Sequence, residues 1–501
     1  MWNVSEIRAY MKILLIQPPI TVSKNEIFGV TPPLGLAYLA SVAEQSGHNV
    51  KILDTIVEGY NNKFYEDGYT RIGLPWETIR REIEKFHPNL VGITCPYSLM
   101  DEEMKTIARI AKNVDPKVPV VVGGAHPSSM PEYVIRDPNV DLLIEGEGES
   151  TFADLIRKLD EGNSYLNLKG LWLKADGKIR KNTRRDFITN LDSIPFPAWH
   201  LLSIEKYIKI GQVHGGQKRK RYASMITSRG CPGRCAFCSI HNVWGYKWRP
   251  RSPENILEEI EKLVHEYKIQ EIHFEDDNLT LSKDRFMKIC DLIIKRNLDI
   301  SWTTPNGVAV NTIDLELLEK MKKSGCYQLS LGIESGDPKV LKNIIHKPLS
   351  LQRVIKVIKW SKKIGMWTHG YFVIGFPGEA SESIRRTINF AKETDLDSAS
   401  FFIATPYPGT PLCSTVTSER LLESGFDLKK LRTMDATMDT EYFKAAELTE
   451  IQKRAYFEFM NHRIKKELIG GYFLTRVFHI RSLGDMAFLM QKIRRLVRLF
   501  R

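Results

Sequence analysis

Short apolar runs alternate with helical patterns through the first 150 residues. The runs at 12–17, 49–54, 90–95, 118–124 and 141–146 have the composition of buried strands. The stretch 34–47 repeats its apolar positions with a helical period and ends at Gly47, which is typical of a helix C-terminus. Strands and helices in this rhythm predict a Rossmann-like, doubly wound parallel sheet, which we assign to residues 11–160.

The carboxyl ends of these strands carry candidate ligand-binding residues. Sheets of this kind bind ligands at that edge. The candidates there are Pro18, Asp54, Gly123, Gly124 and Glu147. Each of them, taken alone, is better explained as an ordinary turn residue.

A second series of strand–helix units begins near residue 222. Residues 161–221 form a hairpin around Asp176-Gly177, a strong turn dipeptide, followed by a linker. The later strand-like runs are 223–228, 271–276, 300–305, 327–333, 368–375 and 399–405. Six such units predict a partial (β/α)6 barrel over 222–410, with its chemistry at the strand carboxyl ends. Residues 411–501 are predicted to be mostly helical.

Charge is spread unevenly along the 501 residues, whose net charge is +12. The first 150 residues carry −6 and the last forty carry +8. Residues 482–501 place an apolar stripe opposite a basic face, which suits either an anionic membrane surface or packing on the barrel. Nucleic acid is disfavoured, because no RNA-binding module accompanies the charge.

The location predicted from the sequence is the cytoplasm. The N-terminus runs into a strand-like stretch that is too short for a signal peptide, and four of the seven cysteines are scattered. The uncharged run 398–418 is interrupted by three prolines, which makes it a poor membrane span. The basic tail leaves open a peripheral contact with the inner face of the membrane.

Three cysteines stand close together directly after a predicted strand. Cys231, Cys235 and Cys238 have the spacing C-x3-C-x2-C. A three-cysteine zinc site completed by His241 is one interpretation. Gly230, Pro232 and Gly233 suit a chain wrapped around a larger object. An iron–sulfur cluster usually has four thiolate ligands, so three would leave one iron open to a substrate.

This cysteine motif resembles the hallmark of the radical S-adenosylmethionine (SAM) superfamily. The resemblance implies a 4Fe–4S cluster whose open iron binds the amine and carboxylate of SAM. It also implies reductive cleavage of SAM to a 5′-deoxyadenosyl radical, which abstracts hydrogen from unactivated carbon. An external electron donor such as ferredoxin or flavodoxin would supply the electron.

Later segments resemble the SAM-binding motifs of the same superfamily. "FEDDN" (274–278) departs from the commoner Gly-Gly-Glu form, and the resemblance implies that its acids contact the SAM ammonium. "GIESG" (332–336) would meet the ribose, and "VIGFPGE" (373–379) would lie beside the adenine. The residues implied in SAM binding are Phe237, Asp276, Asp277, Glu334, Ser335 and Gly375.

The first domain resembles the cobalamin-binding domain of one large subclass of these enzymes. The matching segments are 32–54, 120–135 and 141–156. That subclass includes the anaerobic magnesium-protoporphyrin cyclase type, methylases and lipid-tailoring enzymes. The resemblance implies that Pro18, Asp54, Gly123, Gly124 and Glu147 contact cobalamin. The Asp-x-His-x-x-Gly motif is absent, which leaves open cobalamin bound without a histidine ligand or a purely structural domain.

The predicted activity is methyl transfer, or carbon–carbon or ring formation, on a hydrophobic or natural-product substrate. The substrate would be a small molecule or a lipid. One alternative is RNA methylthiolation, but those enzymes carry a second set of three cysteines upstream, where Cys95 stands alone. Another is a non-catalytic iron–sulfur electron carrier. No catalytic acid, base or hydrogen donor is identified; chemistry alone makes Cys326, Cys413, Tyr407 and His241 candidates.

Overall fold

The first domain is the predicted doubly wound α/β sheet. The computed structural model describes residues 10–23, 29–211, 216–419, 421 and 427–469. The strands of this domain are β1 (Lys12–Gln17), β2 (Ile20–Ser23), β3 (Asn49–Asp54), β4 (Lys63–Glu66), β5 (Tyr69–Ile72), β6 (Leu90–Thr94), β7 (Val120–Gly123), β8 (Leu142–Ile144), β9 (Leu171–Ala175) and β10 (Lys178–Lys181). The helices are α1 (Leu34–Gln45), α2 (Thr55–Glu58), α3 (Trp76–Phe86), α4 (Asp101–Val114), α5 (Ala125–Ser129), α6 (Pro131–Ile135), α7 (Glu149–Asp160) and α8 (Ile204–Ile210).

The main sheet of this domain has the order β10-β9-β8-β7-β6-β1-β3. Strands β3, β1, β6, β7 and β8 are parallel, as predicted. Strand β1, between β6 and β3, is buried on both faces, because Leu14 and Ile16 enter one apolar core while Ile13 and Leu15 enter another. Such double burial explains the unbroken apolar run in its sequence. The hairpin β9–β10 extends this sheet, so the sheet continues past residue 160 to Lys181.

A small antiparallel sheet, β2-β5-β4, was not predicted. Its strand β4 is exposed at every position, so its sequence has no alternation of buried and exposed residues. A stack of side chains holds the hairpin instead, with the Arg71 guanidinium 4.1 Å from the Phe64 ring centroid and 4.4 Å from that of Trp76. The pairing of β2 with β5 joins residues about fifty positions apart, so it leaves no local signal in the sequence.

The second domain is the predicted open barrel. Its strands are β11 (Tyr222–Met225), β12 (Ser228–Arg229), β13 (Arg249–Pro250), β14 (Glu271–Phe274), β15 (Ser301–Thr303), β16 (Cys326–Glu334), β17 (Trp367–Ile374) and β18 (Ser398–Ile403). Its helices are α9 (His241–Trp244), α10 (Pro253–Tyr267), α11 (Lys283–Lys295), α12 (Leu315–Lys323), α13 (Pro338–Asn343), α14 (Leu351–Lys363) and α15 (Ser381–Glu393). The parallel sheet has the order β11-β14-β15-β16-β17-β18. The predicted start of α10 is confirmed, since the Ser252 hydroxyl accepts the Asn255 N–H at 3.2 Å.

The described part of the C-terminal region is mostly helical, with an irregular stretch at 431–444. It contains α16 (Pro411–Ser418) and α17 (Ala445–Ile469). Helix α17 packs on β18, with Phe459 against Phe401 at 6.4 Å between ring centroids. The predicted amphipathic tail, 482–501, lies outside the described residues. Among the described helices, none combines the length and apolar character needed to cross a bilayer.

The first domain contacts both open edges of the barrel sheet. On one edge, the Tyr222 hydroxyl at the start of β11 donates to the Val30 carbonyl at 2.9 Å. On the other edge, Arg432 donates to the Thr21 carbonyl at 2.9 Å. The segment that carries Arg432 pairs with the end of β18, where the Ile403 N–H reaches the Thr433 carbonyl at 2.7 Å. The first domain therefore lies across the opening of the barrel.

The adjacent glycines at the end of β7, Gly123 and Gly124, make a matched test of backbone packing. Gly124 has φ of +114°, and an added Cβ would lie 2.8 Å from the Cys95 carbonyl oxygen. An added Cβ on Gly123 would lie 3.7 Å from its nearest neighbour, the Ile144 oxygen. We expect Gly124→Ala to cost about 1–3 kcal/mol of stability through backbone strain. Gly123→Ala should cost less than about 1 kcal/mol. Thermal unfolding of both variants measures the difference, and equal midpoints would contradict it.

Candidate functional site

The three cysteines lie on a loop that begins at the end of β12. Gly230 turns the chain into this loop with φ of +82°, and an added Cβ there would lie 2.4 Å from the Lys247 carbonyl oxygen. Further along, an added Cβ on Gly233 would lie 3.4 Å from Cys231 Sγ and 4.0 Å from Cys235 Sγ. The loop thus brings two sulfurs to one side of a residue that has no side chain. Burial raises the pKa of Cys235 to about 11 and that of Cys238 to about 12.

The structure argues against a zinc site completed by His241. The His241 Nε2 lies 3.1 Å from the Cys231 carbonyl oxygen, and its ring stacks on Tyr246 at 3.8 Å. Among the described residues, no three His, Cys, Asp or Glu side chains converge closely enough to hold a single metal ion. A cubic cluster is larger than one ion and spreads its thiolates further apart. The cysteine loop therefore fits a cluster better than zinc.

Asp276 and Asp277, predicted together, have different surroundings. Asp276 is buried and accepts hydrogen bonds from the Thr227 N–H at 3.0 Å and from the Ser228 hydroxyl at 2.5 Å. Its carboxylate therefore joins the ends of two strands. The Asp277 Oδ2 is buried and has no hydrogen-bond partner among the described residues. Burial, followed by the charge of Asp276, raises the pKa of Asp277 to about 7. Asp277 is the carboxylate that is available to a ligand.

Glu334 pairs with a lysine that the sequence did not single out. The Lys347 Nζ lies 2.8 Å from Glu334 Oε1 and 2.8 Å from the Gly332 carbonyl oxygen. Burial alone would lower the pKa of Lys347, but the charges of Glu334 and Cys235 raise it. A positive charge therefore stands beside the cysteine loop. Lys347 follows helix α13 in a stretch with no recognisable motif, and only the folded chain brings it to this site.

The remaining predicted SAM residues make contacts within the protein. The Ser335 hydroxyl lies 3.0 Å from Thr387 Oγ1 and accepts the Asp337 N–H at 3.1 Å. Gly375 has φ of +82°, and an added Cβ would lie 2.9 Å from a methyl of Leu448 on α17. Phe237 packs against Phe376 at 6.0 Å between ring centroids. These contacts explain the residue types through turn and packing geometry.

The five predicted cobalamin contacts of the first domain divide into two groups. Two have polar side chains that are bound within the protein, and three have no polar side chain. Asp54 caps α2, accepting the Ile56 N–H at 3.0 Å and a hydrogen bond from the Tyr207 hydroxyl. Glu147 is ion-paired with arginines of the barrel domain. Pro18, Gly123 and Gly124 remain at the carboxyl edge without side-chain polar groups. Contacts within the protein thus account for Asp54 and Glu147, and their contact with cobalamin stays a prediction from the sequence.

A buried network of charges joins the two domains near the cysteine loop. Glu147 Oε1 lies 2.8 Å from Arg249 and 3.1 Å from Arg229, and Glu149 lies 2.6 Å from Arg229. All four side chains are at most one-tenth exposed. Burial alone would raise the pKa of Glu149, but the charge and hydrogen bond of Arg229 hold it below its usual value. The network fixes the first domain against the strand that leads into the cysteine loop.

His126, a histidine of the first domain, is not free to coordinate the cobalt of cobalamin, because its ring makes hydrogen bonds within the protein. His126 is buried, with Nδ1 at 3.0 Å from the Ser98 hydroxyl and Nε2 at 3.0 Å from Asp101 Oδ1. Both ring nitrogens are therefore occupied. This agrees with the absence of the Asp-x-His-x-x-Gly motif in the sequence.

The candidate catalytic groups are not brought together. Cys326 is buried in the apolar core on the outer face of the barrel. Cys413 lies on α16, and His241 is held by the cysteine loop as described above. The structure therefore assigns none of these three residues to a common reaction site.

Comparison with known proteins identifies the family. The model of the Radical SAM superfamily matches residues 225–391, and that of the B12 binding domain matches residues 20–156. An uncharacterized methyltransferase of Pyrococcus horikoshii is 39% identical over 451 residues, covering 90% of this chain and 92% of its own. Cytidylyl-2-hydroxyethylphosphonate methyltransferase of Streptomyces wedmorensis is 36% identical over 438 residues, covering 81% and 82%. Anaerobic magnesium-protoporphyrin IX monomethyl ester cyclases are further relatives.

A solved structure shows the same fold. The cobalamin-dependent SAM radical enzyme OxsB, with aqua-cobalamin and SAM bound, superposes with a TM-score of 0.72 at 17% identity. The match covers 97% of this chain and 75% of that one. The chain belongs to the radical SAM superfamily, in the subclass with a B12 binding domain.

Its members are enzymes, and this chain is a cobalamin-dependent radical SAM enzyme of the methyltransferase or cyclase type. Its cofactors are a 4Fe–4S cluster, SAM and cobalamin. The cysteine loop fits the first of these, since Gly233 leaves open the space in front of two sulfurs. Asp277 and Lys347 offer a negative and a positive charge beside that loop. These are complementary to the ammonium and the carboxylate of an amino acid.

Proposed function

We propose that this enzyme transfers a methyl group to a carbon atom of a small-molecule substrate. The observation that carries the proposal is the placement of the first domain across the opening of the barrel, where both domains can reach one substrate. The relatives that are 39% and 36% identical to this chain are named as methyltransferases, whereas the cyclase of Rubrivivax gelatinosus is 28% identical, which supports methylation over ring formation.

We assign the cofactor contacts residue by residue. Cys231, Cys235 and Cys238 hold the cluster. Asp277 accepts hydrogen bonds from the SAM ammonium, because its Oδ2 is buried and unpartnered. Lys347 pairs with the SAM carboxylate, and its hydrogen bond to Glu334 orients it. Pro18, Gly123 and Gly124 form the part of the carboxyl edge that cobalamin would approach. The bound cofactors supply the radical that activates a C–H bond and the methyl group to be transferred.

Two products of SAM test this function. Anaerobically reconstituted enzyme with hydroxocobalamin, SAM and dithionite should form both 5′-deoxyadenosine and S-adenosylhomocysteine, measured by liquid chromatography and mass spectrometry. The first product reports radical formation, and the second reports donation of the SAM methyl group. Formation of 5′-deoxyadenosine alone would overturn methyl transfer in favour of ring formation. Formation of neither product would overturn the radical assignment for this chain.

Exchange of each acid for its amide separates the roles of Asp276 and Asp277. Asp277→Asn removes a charge that faces the ligand, so we expect SAM affinity to fall about 10–100-fold. Asp276→Asn removes an internal acceptor, so we expect a loss of about 1–3 kcal/mol in stability and a smaller effect on affinity. Equilibrium dialysis with labelled SAM and thermal unfolding measure the two effects. The opposite result, with Asp276→Asn alone impairing SAM binding, would exchange the two assignments.

Reductive cleavage of SAM determines one partner of the enzyme, its electron donor. The enzyme needs an external one-electron donor, and we propose a ferredoxin or flavodoxin in that role. Contact of residues 482–501 with the inner face of the membrane stays a prediction from the sequence, as does a lipid substrate. A flotation assay with anionic vesicles, with and without residues 482–501, measures that contact.

A further inference from the structure

The outer side of the cysteine loop is exposed and basic. Arg234 lies between Cys231 and Cys235 and is exposed, and Lys247, shortly after the loop, is exposed as well. The stretch 230–248 contains no aspartate or glutamate. Within the described part of the chain, neither Arg234 nor Lys247 forms an ion pair. Both charges are therefore available to a partner of opposite sign.

An aromatic stack lies at the centre of this exposed side. The Tyr246 side chain is 48% exposed, and its ring stacks on that of His241 at 3.8 Å between centroids and 13° between planes. The Arg234 guanidinium lies 5.1 Å from the centroid of the Tyr246 ring, a cation–π contact that holds both groups in place. Lys247 follows Tyr246 in the chain. We call Arg234, Tyr246 and Lys247 the outer loop face.

The outer loop face is close to the sulfurs that we assign to the cluster. The His241 Nε2, beneath the Tyr246 ring, lies 3.1 Å from the Cys231 carbonyl oxygen. Next to Arg234, the Cβ position of Gly233 is 3.4 Å from Cys231 Sγ. One layer of residues thus separates the exposed surface from the sulfurs. A redox protein bound to this surface would be within a short distance of the cluster.

Both segments that border the cysteine loop are basic as well. Residues 182–190 contain two arginines and one acid, and Arg184 of this segment donates to a backbone carbonyl of α9 at 2.6 Å. Residues 338–350 contain three lysines and no acid, and the Ile345 carbonyl accepts the Ala236 N–H of the loop at 3.0 Å. The electrostatic potential around the loop is therefore positive, which attracts an acidic partner.

The size and composition of the outer loop face suit a transient electron-transfer complex. Such complexes have some of the smallest protein–protein interfaces, so one ring and two cations form a large part of one. Tyrosine and arginine are the residue types that contribute most at the centre of an interface. The exposed ring of Tyr246 also offers an apolar contact to a flavin whose edge is exposed. A carrier with an iron–sulfur cluster beneath its surface would gain the charge contacts alone.

We propose that Arg234, Tyr246 and Lys247 form the docking surface for the electron donor, a small flavoprotein whose exposed flavin edge is surrounded by carboxylates. This inference rests on the proposed function, which requires a donor, and it assigns a surface to that donor. The fully reduced flavin anion gives up one electron and becomes the neutral semiquinone, and the oxidised cluster gains that electron. No proton is transferred, and no bond is formed or broken in this step.

A zero-length cross-link tests the docking surface directly. The reconstituted enzyme is mixed with flavodoxin at low ionic strength and treated with a water-soluble carbodiimide, which joins a lysine amine to a carboxylate in contact with it. We expect mass spectrometry to find Lys247 joined to flavodoxin carboxylates near the flavin. High salt should remove this cross-link, because it screens charges at an exposed interface. A pattern without Lys247, for example one confined to lysines of α14 or of residues 482–501, would overturn the proposal.

Charge reversal at Lys247 separates donor docking from the chemistry of the cluster. We expect Lys247→Glu to weaken the binding of labelled flavodoxin, measured by fluorescence anisotropy at low salt, about tenfold. Formation of 5′-deoxyadenosine driven by subsaturating flavodoxin, kept reduced by NADPH and its reductase, should fall by a similar factor. Dithionite is a small reductant that needs no docking surface, so the rate that it supports should stay within about twofold of wild type.

Two further variants make the test specific. Lys359→Glu reverses an exposed lysine of α14, on the outside of the barrel, and we expect wild-type affinity and wild-type rates from it. Tyr246→Ala keeps both cations and removes the exposed ring, so it should weaken the binding of flavodoxin more than that of a ferredoxin. Equal losses for Lys247→Glu and Lys359→Glu would overturn the docking surface. Tighter binding of ferredoxin than of flavodoxin, unaffected by Tyr246→Ala, would overturn the flavin contact.

The outcomes distinguish this inference from the proposed function. Wild-type enzyme that forms no 5′-deoxyadenosine with dithionite would overturn the radical assignment. The cross-link and the affinity do not depend on turnover, so they would still decide the docking surface. A normal rate with dithionite, together with a flavodoxin-driven rate that Lys247→Glu leaves unchanged, would overturn the docking surface alone.

Discussion

Replacing Cys235 by alanine is expected to abolish the cluster and, with it, all formation of 5′-deoxyadenosine. Cys235 lies in the middle of the loop, and its sulfur faces the same space as that of Cys231 across Gly233. Two remaining thiolates cannot hold a four-iron cluster at three corners. Iron and sulfide content after anaerobic reconstitution should fall to the level of the protein before reconstitution. The broad charge-transfer absorbance of the iron–sulfur cluster should be lost as well.

The matched control for this variant is Cys413→Ala. Cys413 is half-buried, as the three loop cysteines are, but it lies on α16 and its backbone N–H is satisfied by the Thr410 hydroxyl at 3.1 Å. We expect wild-type iron content and wild-type 5′-deoxyadenosine formation from this control. Retention of wild-type iron by Cys235→Ala would overturn the ligand assignment.

Replacing Arg249 by methionine is expected to destabilise the protein by about 3–5 kcal/mol. The substitution leaves the buried Glu147 with the Arg229 guanidinium and the Ile188 N–H, and it also removes the donor that reaches the Ile188 carbonyl at 2.6 Å. Removing one partner from a buried ionic network costs much more than the pair itself contributes, because the buried carboxylate loses half of its compensating positive charge. The urea midpoint should fall by roughly 1 M. Cobalamin retention on gel filtration should fall as well, because the network holds the first domain against the barrel.

Arg385→Met is the matched control for the buried network. Arg385 also makes two contacts to one carboxylate, at 2.9 and 3.1 Å from Glu458, but its side chain is 48% exposed. Exposed pairs contribute about 0–1 kcal/mol, so the urea midpoint should hardly change. Equal shifts for the two arginine variants would show that the Glu147 network does not hold the domains together.

The local pattern of apolar and polar residues was sufficient to predict the repeating strand–helix units of the fold. The run Lys12–Gln17 had the boundaries of β1, and Asn49–Asp54 had those of β3. A strand buried on both faces needs an uninterrupted apolar run, and a helix start needs a cap within four residues, so each signal lies inside one short segment. The sheet β2-β5-β4 was missed because its contacts are cross-strand and its outer strand is exposed throughout.

The same distinction, between signals within one segment and contacts between distant segments, holds for the candidate functional site. The spacing of the three cysteines is a local property, because one loop must supply all three sulfurs. The choice between Asp276 and Asp277 was not open to sequence analysis, since it depends on Thr227 and Ser228, almost fifty residues away. Glu147 was predicted to contact cobalamin because its neighbours in the sequence give no sign of its arginine partners. Those arginines lie beyond residue 220.

By itself the sequence determined the two-domain α/β order, the cysteine loop and the family, since these depend on periodicity and on spacing within single segments. The tertiary structure decided which polar groups are already satisfied by the protein and which are left for a ligand. Asp276 and Glu147 belong to the first kind, and Asp277, whose Oδ2 has no partner among the described residues, to the second. The physical reason is that a hydrogen bond or an ion pair needs two partners. The chain brings those partners together only when it folds.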